Sequence, residues 1–272
     1  MTSKNKWLSA PYLFWSAVFI IIPLGMVLYY GLTDRTGAFT IDNIMAITSA
    51  GHAKSLRLAL LLSFISTIVC FLLAYPLAMI LANMKVKRHN FIILIFILPM
   101  WMNFLLRTLA WQTLLEKNGV INHILSFLHL PALKIINTPA AIILGMVYNF
   151  LPFMVLPLYN ALAKIDTNVI NAARDLGASH FYTFIRIILP LSVPGIISGI
   201  TMVFVPALTT FVISRVLGGG KILLIGNIIE EEFTKTDNWN LGSGLSIVLM
   251  LFIIFNMVIS AVTDKDGEVN AL

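Results

Sequence analysis

Long stretches without any charged residue are the feature that most restricts how this chain can fold. Six such stretches lie at 7–33, 58–84, 91–106, 135–163, 187–214 and 238–263. Because a helix needs about 20 consecutive apolar residues to cross a membrane, five of them are long enough to span. The remaining one, 91–106, resumes after Arg107 and runs to Leu115. Read through that arginine, it also spans.

The composition points the same way. Asp, Glu, Lys and Arg supply 11% of the 272 residues, against about 25% in a typical soluble domain. Six spans use roughly 120–150 residues, which leaves too little chain for a second globular domain. We therefore predict an all-α integral membrane protein with a single transmembrane domain over residues 1–272. The predicted spans are 11–32, 58–83, 91–115, 140–163, 187–212 and 243–263.

The basic residues indicate an orientation in the membrane. Cytoplasmic loops are enriched in Lys and Arg, and nine of the 18 basic residues fall in short segments that alternating spans place on one side. The clearest of these segments is the Lys-Val-Lys-Arg turn at 85–88. We predict that both termini are cytoplasmic and that the loops 33–57, 116–139 and 213–242 are external. Membrane topology then explains the net positive charge, and we expect no nucleic-acid partner.

The cytoplasmic loop 164–186 is the one loop whose sequence predicts ordered helices. Asp166 or Thr167 can cap the start of a helix, and Gly177 can adopt the left-handed conformation that ends one. Ser179 can cap a second helix that runs to Pro190. The first helix carries an apolar stripe at helical spacing, formed by Val169, Ala172, Ala173 and Leu176. Such a stripe suits a partner's groove or the lipid surface, and periodicity alone does not separate the two.

The residues of this loop resemble a known motif. Asn171-Ala-Ala-Arg-Asp-Leu-Gly177-Ala-Ser, followed by Leu189-Pro190, is similar to the EAA loop of the permease subunits of ABC importers. The two alanines, the glycine and the Leu-Pro pair match, whereas Asn171 stands where the motif has Glu. In that family the loop forms a coupling helix that inserts into a cleft of the cytoplasmic ATPase.

The resemblance implies a fold and a set of coupling residues. The fold is that of a type I ABC importer permease, called MetI-like, with six transmembrane helices. The implied ATPase-coupling residues are Asn171, Ala172, Ala173, Arg174, Asp175, Leu176, Gly177 and Ala178.

Three further segments are similar to the spermidine/putrescine-type permeases within this family. They are Leu98-Pro-Met-Trp101 with the Arg107 and Trp111 that follow, Leu151-Pro-Phe-Met-Val-Leu-Pro-Leu-Tyr159, and the region that begins with Leu217-Gly-Gly-Gly-Lys. The resemblance implies polyamine import across a bacterial inner membrane. It also implies four kinds of partner: a second, related permease, two cytoplasmic ATP-binding subunits, an external substrate-binding protein and the surrounding lipid.

The sequence predicts a transport subunit and not an enzyme. It contains no G-x-x-x-x-G-K-[ST] phosphate loop, since Gly218 to Lys221 lacks the earlier glycine and the following hydroxyl. We expect no catalytic residues, no metal site and no cofactor of its own, with ATP bound by the partner ATPase. The alternative of a different class is a membrane channel or enzyme that acts without an ATPase.

None of the predicted spans contains an acidic residue. A polyamine path would therefore depend on aromatic faces, amides and backbone carbonyls, with each cation–π contact contributing about 0.5–2 kcal/mol. Any single aromatic side chain has the alternative role of an interfacial anchor. The candidate path residues are Trp101, Asn103, Trp111, Tyr148, Asn149 and Tyr159.

Arg107 is the charge inside a predicted span. Such a charge is costly in a membrane and indicates a function, but a cation lining the path would repel a polyamine. We therefore predict a gating or structural role for it. Together with Arg215 at the outer end of span five, it keeps a small anion or a metal complex as the alternative cargo.

Overall fold

The computed structural model describes residues 10–84 and 98–269, and this part of the chain is built from helices. Its only β-type pairing is an isolated bridge between Thr33 and Phe39. The predicted Lys-Val-Lys-Arg turn at 85–88 and the first part of predicted span three, 91–97, lie outside the described residues.

The first half of the described chain contains seven α-helices. They are α1 (Ala10–Ser16), α2 (Ile22–Gly31), α3 (Asp42–Met45), α4 (Ala50–Ala82), α5 (Phe104–Leu115), α6 (Val120–Phe127) and α7 (Pro139–Leu162). A π-helical turn, Ala17–Ile21, joins α1 to α2, and 3-10 turns occupy Ala46–Thr48 and Leu98–Trp101.

The second half contains the remaining helices of the described residues. They are α8 (Thr167–Asp175), α9 (His180–Thr183), α10 (Leu189–Leu191), α11 (Val193–Thr209), α12 (Val212–Leu217), α13 (Ile225–Thr234) and α14 (Trp239–Val269). A second π-helical turn, Phe184–Ile188, connects α9 to α10.

Within the described residues, four helical segments are long and apolar enough to cross a membrane: Pro11–Gly31, Ala50–Ala82, Pro139–Leu162 and Trp239–Val258. A fifth span exists if His180–Leu191 and Val193–Thr209, which meet at 63°, count as one broken helix. The break falls at Ser192, between Pro190 and Pro194. Proline removes a backbone donor and clashes with the preceding turn, so a bend is expected there.

The described part of predicted span three is divided. The 3-10 turn Leu98–Trp101 ends before Asn103, and α5 begins at Phe104. The side-chain oxygen of Asn103 accepts hydrogen bonds from the backbone N–H groups of Leu105 and Leu106, at 2.8 and 3.3 Å. Asn103 is therefore the N-cap of a new helix, a feature that hydropathy alone does not reveal.

Contacts divide the chain into two compact units. Unit 1 contains the described residues up to Ser55 together with Asn227–Phe252. Inside it, the Asn240 amide donates to the carbonyl oxygens of Tyr30 and Thr33, at 3.1 and 2.6 Å. The Asn43 amide donates to the Thr33 carbonyl oxygen as well, at 2.9 Å. These bonds hold the end of α2 against the start of α14.

Unit 2 contains Leu56–Gly226 and the residues from Ile253 onward, and its centre is the packing of α11 along α7. A Cβ atom added to Gly195 would lie 2.5 Å from the Cβ of Ala161, and one added to Gly199 would lie 2.6 Å from the sulfur of Met154. The G-x-x-x-G spacing of these glycines predicts a close helix contact. The structure confirms that prediction and shows α7 to be the partner.

Candidate coupling surface and membrane path

The loop between α7 and α11 has the local structure that its sequence predicts. The carboxylate of Asp166, and not the Thr167 hydroxyl, caps α8 by accepting from the Asn168 backbone N–H at 2.9 Å. At the other end Gly177 has φ +86°. The Gly177 N–H donates to the Arg174 carbonyl, and the next N–H donates to the Ala173 carbonyl, at 2.9 and 3.0 Å. This pair of bonds is a Schellman motif, which ends the helix sharply.

The second helix of the loop also begins at its predicted cap. The Ser179 hydroxyl oxygen accepts from the Tyr182 backbone N–H at 3.2 Å. From there α9 continues through the π-helical turn Phe184–Ile188 into α10, which ends one residue beyond Pro190. Two short helices, joined through Gly177, thus lead directly to the bend at Ser192.

The predicted apolar stripe lies on the surface of the chain. No residue of α8 is buried, and the Leu176 side chain is 90% exposed. On the neighbouring helix Phe181 is 73% exposed. Contiguous exposed apolar residues are characteristic of interaction sites. The loop therefore presents a surface, Val169, Ala172, Leu176 and Phe181, that the described residues of this chain do not cover; we call it the coupling surface.

A buried contact behind the coupling surface was not predicted from the sequence. The hydroxyl oxygens of Tyr75 and Ser192 are 2.9 Å apart, and both residues are buried. The Tyr75 ring packs edge-on against Phe184 with centroids 5.8 Å apart. Tyr75 thereby joins α4 to the π-helical turn and to the bend. Its 117-residue separation from Ser192 explains why no spacing pattern could reveal the pair.

Among the candidate path residues, the structure brings two aromatic rings together. Trp111 of α5 and Tyr148 of α7 pack edge-on with centroids 5.2 Å apart and an interplanar angle of 67°. Both line an apolar, open cavity of about 490 Å³ that lies between α4, α5 and α7. The other lining residues are Val69, Ala140, Ile143, Leu144, Val147 and Leu151.

Two polar candidates are buried with unsatisfied atoms. Asn149 is 2% exposed; its amide donates to the Gly145 carbonyl at 2.8 Å, but its side-chain oxygen has no partner among the described residues. Arg107 is 8% exposed, and its Nε likewise has no partner among them. The Asn149 oxygen is an acceptor on α7, and Nε of Arg107 is a donor on α5. These two helices contact each other.

The other three candidates lie apart from this pair of rings. Trp101 is 77% exposed in the 3-10 turn before α5. The side-chain oxygen of Asn103 is engaged in capping α5. Tyr159 follows Tyr148 by eleven residues on α7, which is roughly 16 Å along a helix.

The sequence matches a known family over most of its length. The family model described as "Binding-protein-dependent transport system inner membrane component" matches residues 42–265. The chain belongs to this family, as its resemblance to the EAA-loop permeases predicts. It is accordingly a multi-pass inner-membrane transport component and not an enzyme.

Individual relatives and a solved structure agree with this assignment. The chain is 39% identical to the spermidine/putrescine transport system permease protein PotB of Haemophilus influenzae, over 89% of this chain and 88% of the relative. It is 38% identical to PotB of Escherichia coli K12, over 87% of this chain and 89% of the relative. It also resembles a chain of a bacterial alginate ABC transporter, solved with an alginate pentasaccharide-bound periplasmic protein, with a TM-score of 0.79 at 18% identity and 96% coverage of both chains. The fold is that of an ABC importer permease.

Proposed function

We propose that this chain is a permease subunit of an ATP-driven importer whose cargo is a polyamine such as spermidine or putrescine. The observation that supports it is the 38–39% identity to permeases named for spermidine/putrescine transport, which extends over nearly nine-tenths of each chain. A likeness confined to the coupling surface would support import by an ABC system but would not indicate a cargo.

The proposed assembly has several subunits. The structurally similar alginate transporter was solved with a substrate-bound periplasmic protein. By analogy we place with this chain a second homologous permease, two cytoplasmic ATP-binding subunits and an external substrate-binding protein, all in or at a lipid bilayer. ATP is bound by the ATP-binding subunits. Both termini and the coupling surface then face the cytoplasm.

The coupling surface provides the contact to the ATPase in this proposal. Its exposed Leu176 and Phe181 would bury apolar area in a cleft of that subunit, which favours association. ATP shifts the permease pair between inward-open and outward-open states only if it favours one ATPase arrangement over the other. Because α9 leads through the π-helical turn to the bend at Ser192, movement of the coupling surface is passed to α11 through a short, ordered segment.

The buried atoms of Arg107 and Asn149 suggest a gate. A buried polar atom without a hydrogen bond costs about 1–3 kcal/mol, and here a donor and an acceptor are left on two helices in contact. We propose that Nε of Arg107 donates to Oδ1 of Asn149 in another state of the transport cycle. Trp111 and Tyr148, on the same two helices, would then present their rings to the passing ammonium groups.

The experiment is ATP-dependent uptake in proteoliposomes. The chain is reconstituted with its partner permease, ATPase and binding protein, and accumulation of labelled spermidine or putrescine is measured with and without ATP. We expect accumulation that requires both ATP and the binding protein. A complex that hydrolyses ATP in response to the loaded binding protein, yet accumulates neither polyamine, would refute the cargo while leaving the permease role intact.

An anionic or metal-complex cargo is the second candidate, and the buried Arg107 is the observation that favours it. A guanidinium beside the path would attract an anion and repel a polycation. The same proteoliposomes separate the candidates. If the cargo is a polyamine, excess unlabelled polyamine abolishes uptake of the labelled cargo. If the cargo is an anion or a metal complex that does not share the polyamine site, its uptake is unchanged.

A further inference from the structure

Unit 1 contains a second large cavity, far along the chain from the coupling surface. Its volume is about 710 Å³, and its lining includes Met26, Tyr30, Arg35, Asp237 and Trp239. Ligand sites in proteins commonly have volumes of about 300–1,000 Å³. Unlike the cavity beside Trp111, this one has charged side chains of both signs in its wall.

The cavity lies where two membrane-spanning segments end. Tyr30 is next to the last residue of Pro11–Gly31, and Trp239 is the first residue of Trp239–Val258. The hydrogen bond from the Asn240 amide to the Tyr30 carbonyl keeps these two ends side by side. Tyr and Trp are enriched at the level of lipid headgroups. Met26, one helical turn before Tyr30, therefore faces the hydrocarbon end of the cavity, and Arg35 and Asp237 lie at its polar end.

Hydrogen bonds order the backbone turn around Arg35 and the carboxylate of Asp237, and among the described residues these two charges do not pair with each other. Arg35 belongs to a turn that Asp34 orders, because one carboxylate oxygen of Asp34 accepts from the Thr36 hydroxyl at 2.7 Å and from the Ala38 N–H at 2.9 Å. One oxygen of Asp237 accepts from the Trp239 indole N–H at 2.8 Å. No ion pair joins Arg35 to Asp237. A ligand that carries both signs of charge can therefore engage both residues.

We propose that this cavity binds the zwitterionic headgroup of a phosphatidylethanolamine molecule from the adjoining leaflet. The guanidinium of Arg35 matches a phosphate, which arginine binds through paired hydrogen bonds. The free carboxylate oxygen of Asp237 accepts from the primary ammonium, beside the aromatic faces of Tyr30 and Trp239, whose centroids are 6.0 Å apart. The acyl chains extend past Met26. A polyamine fits less well because Arg35 repels it, and an anion fits less well because of Asp237.

The test is lipid retention by the intact complex. The chain is purified with its partner subunits, stripped of lipid, and offered equal amounts of phosphatidylethanolamine and phosphatidylglycerol before native mass spectrometry. We expect phosphatidylethanolamine to be retained in preference. Asp237→Asn should reduce the ratio of retained phosphatidylethanolamine to retained phosphatidylglycerol by about tenfold, since it removes a charge-assisted hydrogen bond to the ammonium group. Arg35→Gln should weaken retention of both, because both carry a phosphate.

Matched variants and a competitor complete the design. Asp42→Asn and Lys54→Gln change exposed charges of the same unit outside the cavity, and they should leave the ratio unchanged. An unchanged ratio in Asp237→Asn would overturn the proposal. So would displacement of the lipid by millimolar soluble phosphoethanolamine, because that result would assign the cavity to a free zwitterion. Only assembled complexes are weighed, so a variant that fails to fold contributes no signal to the ratio.

Discussion

The hydroxyl groups of Tyr75 and Ser192 share a buried hydrogen bond of 2.9 Å across unit 2. Ser192 occupies the 63° break between His180–Leu191 and Val193–Thr209, and Tyr75 also packs against Phe184 in the π-helical turn. This turn directly follows α9, so in the proposed transport cycle Tyr75 would hold the point at which movement of the coupling surface reaches α11. It is a positioning residue for the proposed transport cycle.

Replacing Tyr75 by Phe should weaken coupling without preventing assembly. The substitution keeps the ring and its contact with Phe184 but removes a hydrogen bond whose net contribution is about 0.5–1.5 kcal/mol. We expect the number of polyamine molecules imported per ATP hydrolysed to fall by about two- to tenfold. Uptake and ATP hydrolysis are measured in the same proteoliposomes. Tyr12→Phe, at a 67% exposed position, is the control.

The same bond can be tested from its other end. Ser192→Ala removes the partner hydroxyl, together with the hydrogen bond that this hydroxyl donates to the Leu189 carbonyl oxygen at 2.9 Å. The Tyr75→Phe, Ser192→Ala double variant should therefore be no worse than Ser192→Ala alone, because the bond to Tyr75 is already lost in that single variant. Additive losses would show that the two hydroxyls act separately. A loss of assembly in both single variants with an unchanged import ratio would reduce the pair to a stabilising contact.

Gly177 should matter through its backbone conformation and not through lack of space. Its φ is +86°, and an added Cβ would have no neighbour within 4 Å. Asn tolerates the left-handed region, whereas a β-branched residue does not. We therefore expect Gly177→Asn to retain most ATP-coupled uptake and Gly177→Val to lose at least about tenfold. Equal uptake in the two variants would contradict the helix-ending role. Membrane insertion, followed by protein level, should be normal in both.

Local features of this chain were predictable, and long-range ones were not. The caps at Asp166, Ser179 and Gly177 follow from short-range rules, and the structure confirms each of them. Trp111 and Tyr148 were both path candidates, but their pairing depends on how two helices pack, which one sequence does not determine. The break at Asn103 was hidden because a count of apolar residues gives no weight to a polar side chain that bonds to its own backbone.

The close contact of α11 with α7 predicts a difference between two glycines. A Cβ added at Gly195 would lie 2.5 Å from the Ala161 Cβ and 2.8 Å from the Pro157 carbonyl oxygen. Gly195→Ala should therefore destabilise the complex by about 1–3 kcal/mol through overpacking. At Gly25 an added Cβ meets nothing within 4 Å, so Gly25→Ala should change stability by no more than about 1 kcal/mol. Thermal unfolding of the purified complexes compares them; an equal midpoint would contradict the contact.

The turn that carries Arg35 should be sensitive to pH. Hydrogen bonds from the Thr36 hydroxyl, first, and from the Ala38 N–H lower the pKa of the Asp34 carboxyl below its ordinary value of 3.8. The stabilisation is therefore fully present above about pH 4 and is lost as the pH falls through the lowered pKa. Hydrogen exchange at residues 34–38 should accelerate below that pH, beyond its intrinsic pH dependence. In Asp34→Asn the excess acceleration should be absent.

The paired rings of Trp111 and Tyr148 should determine how well a cationic cargo enters the path. If ammonium groups pass over these rings, each contact contributes about 0.5–2 kcal/mol. Trp111→Leu should then raise the polyamine concentration that half-saturates uptake by roughly two- to thirtyfold, whereas Trp111→Phe, which keeps an aromatic face, should raise it less. Phe127→Leu, at an 85% exposed position outside the cavity, is the matched control. Equal effects of Leu and Phe at Trp111 would show that the ring fills space and does not contact the cation.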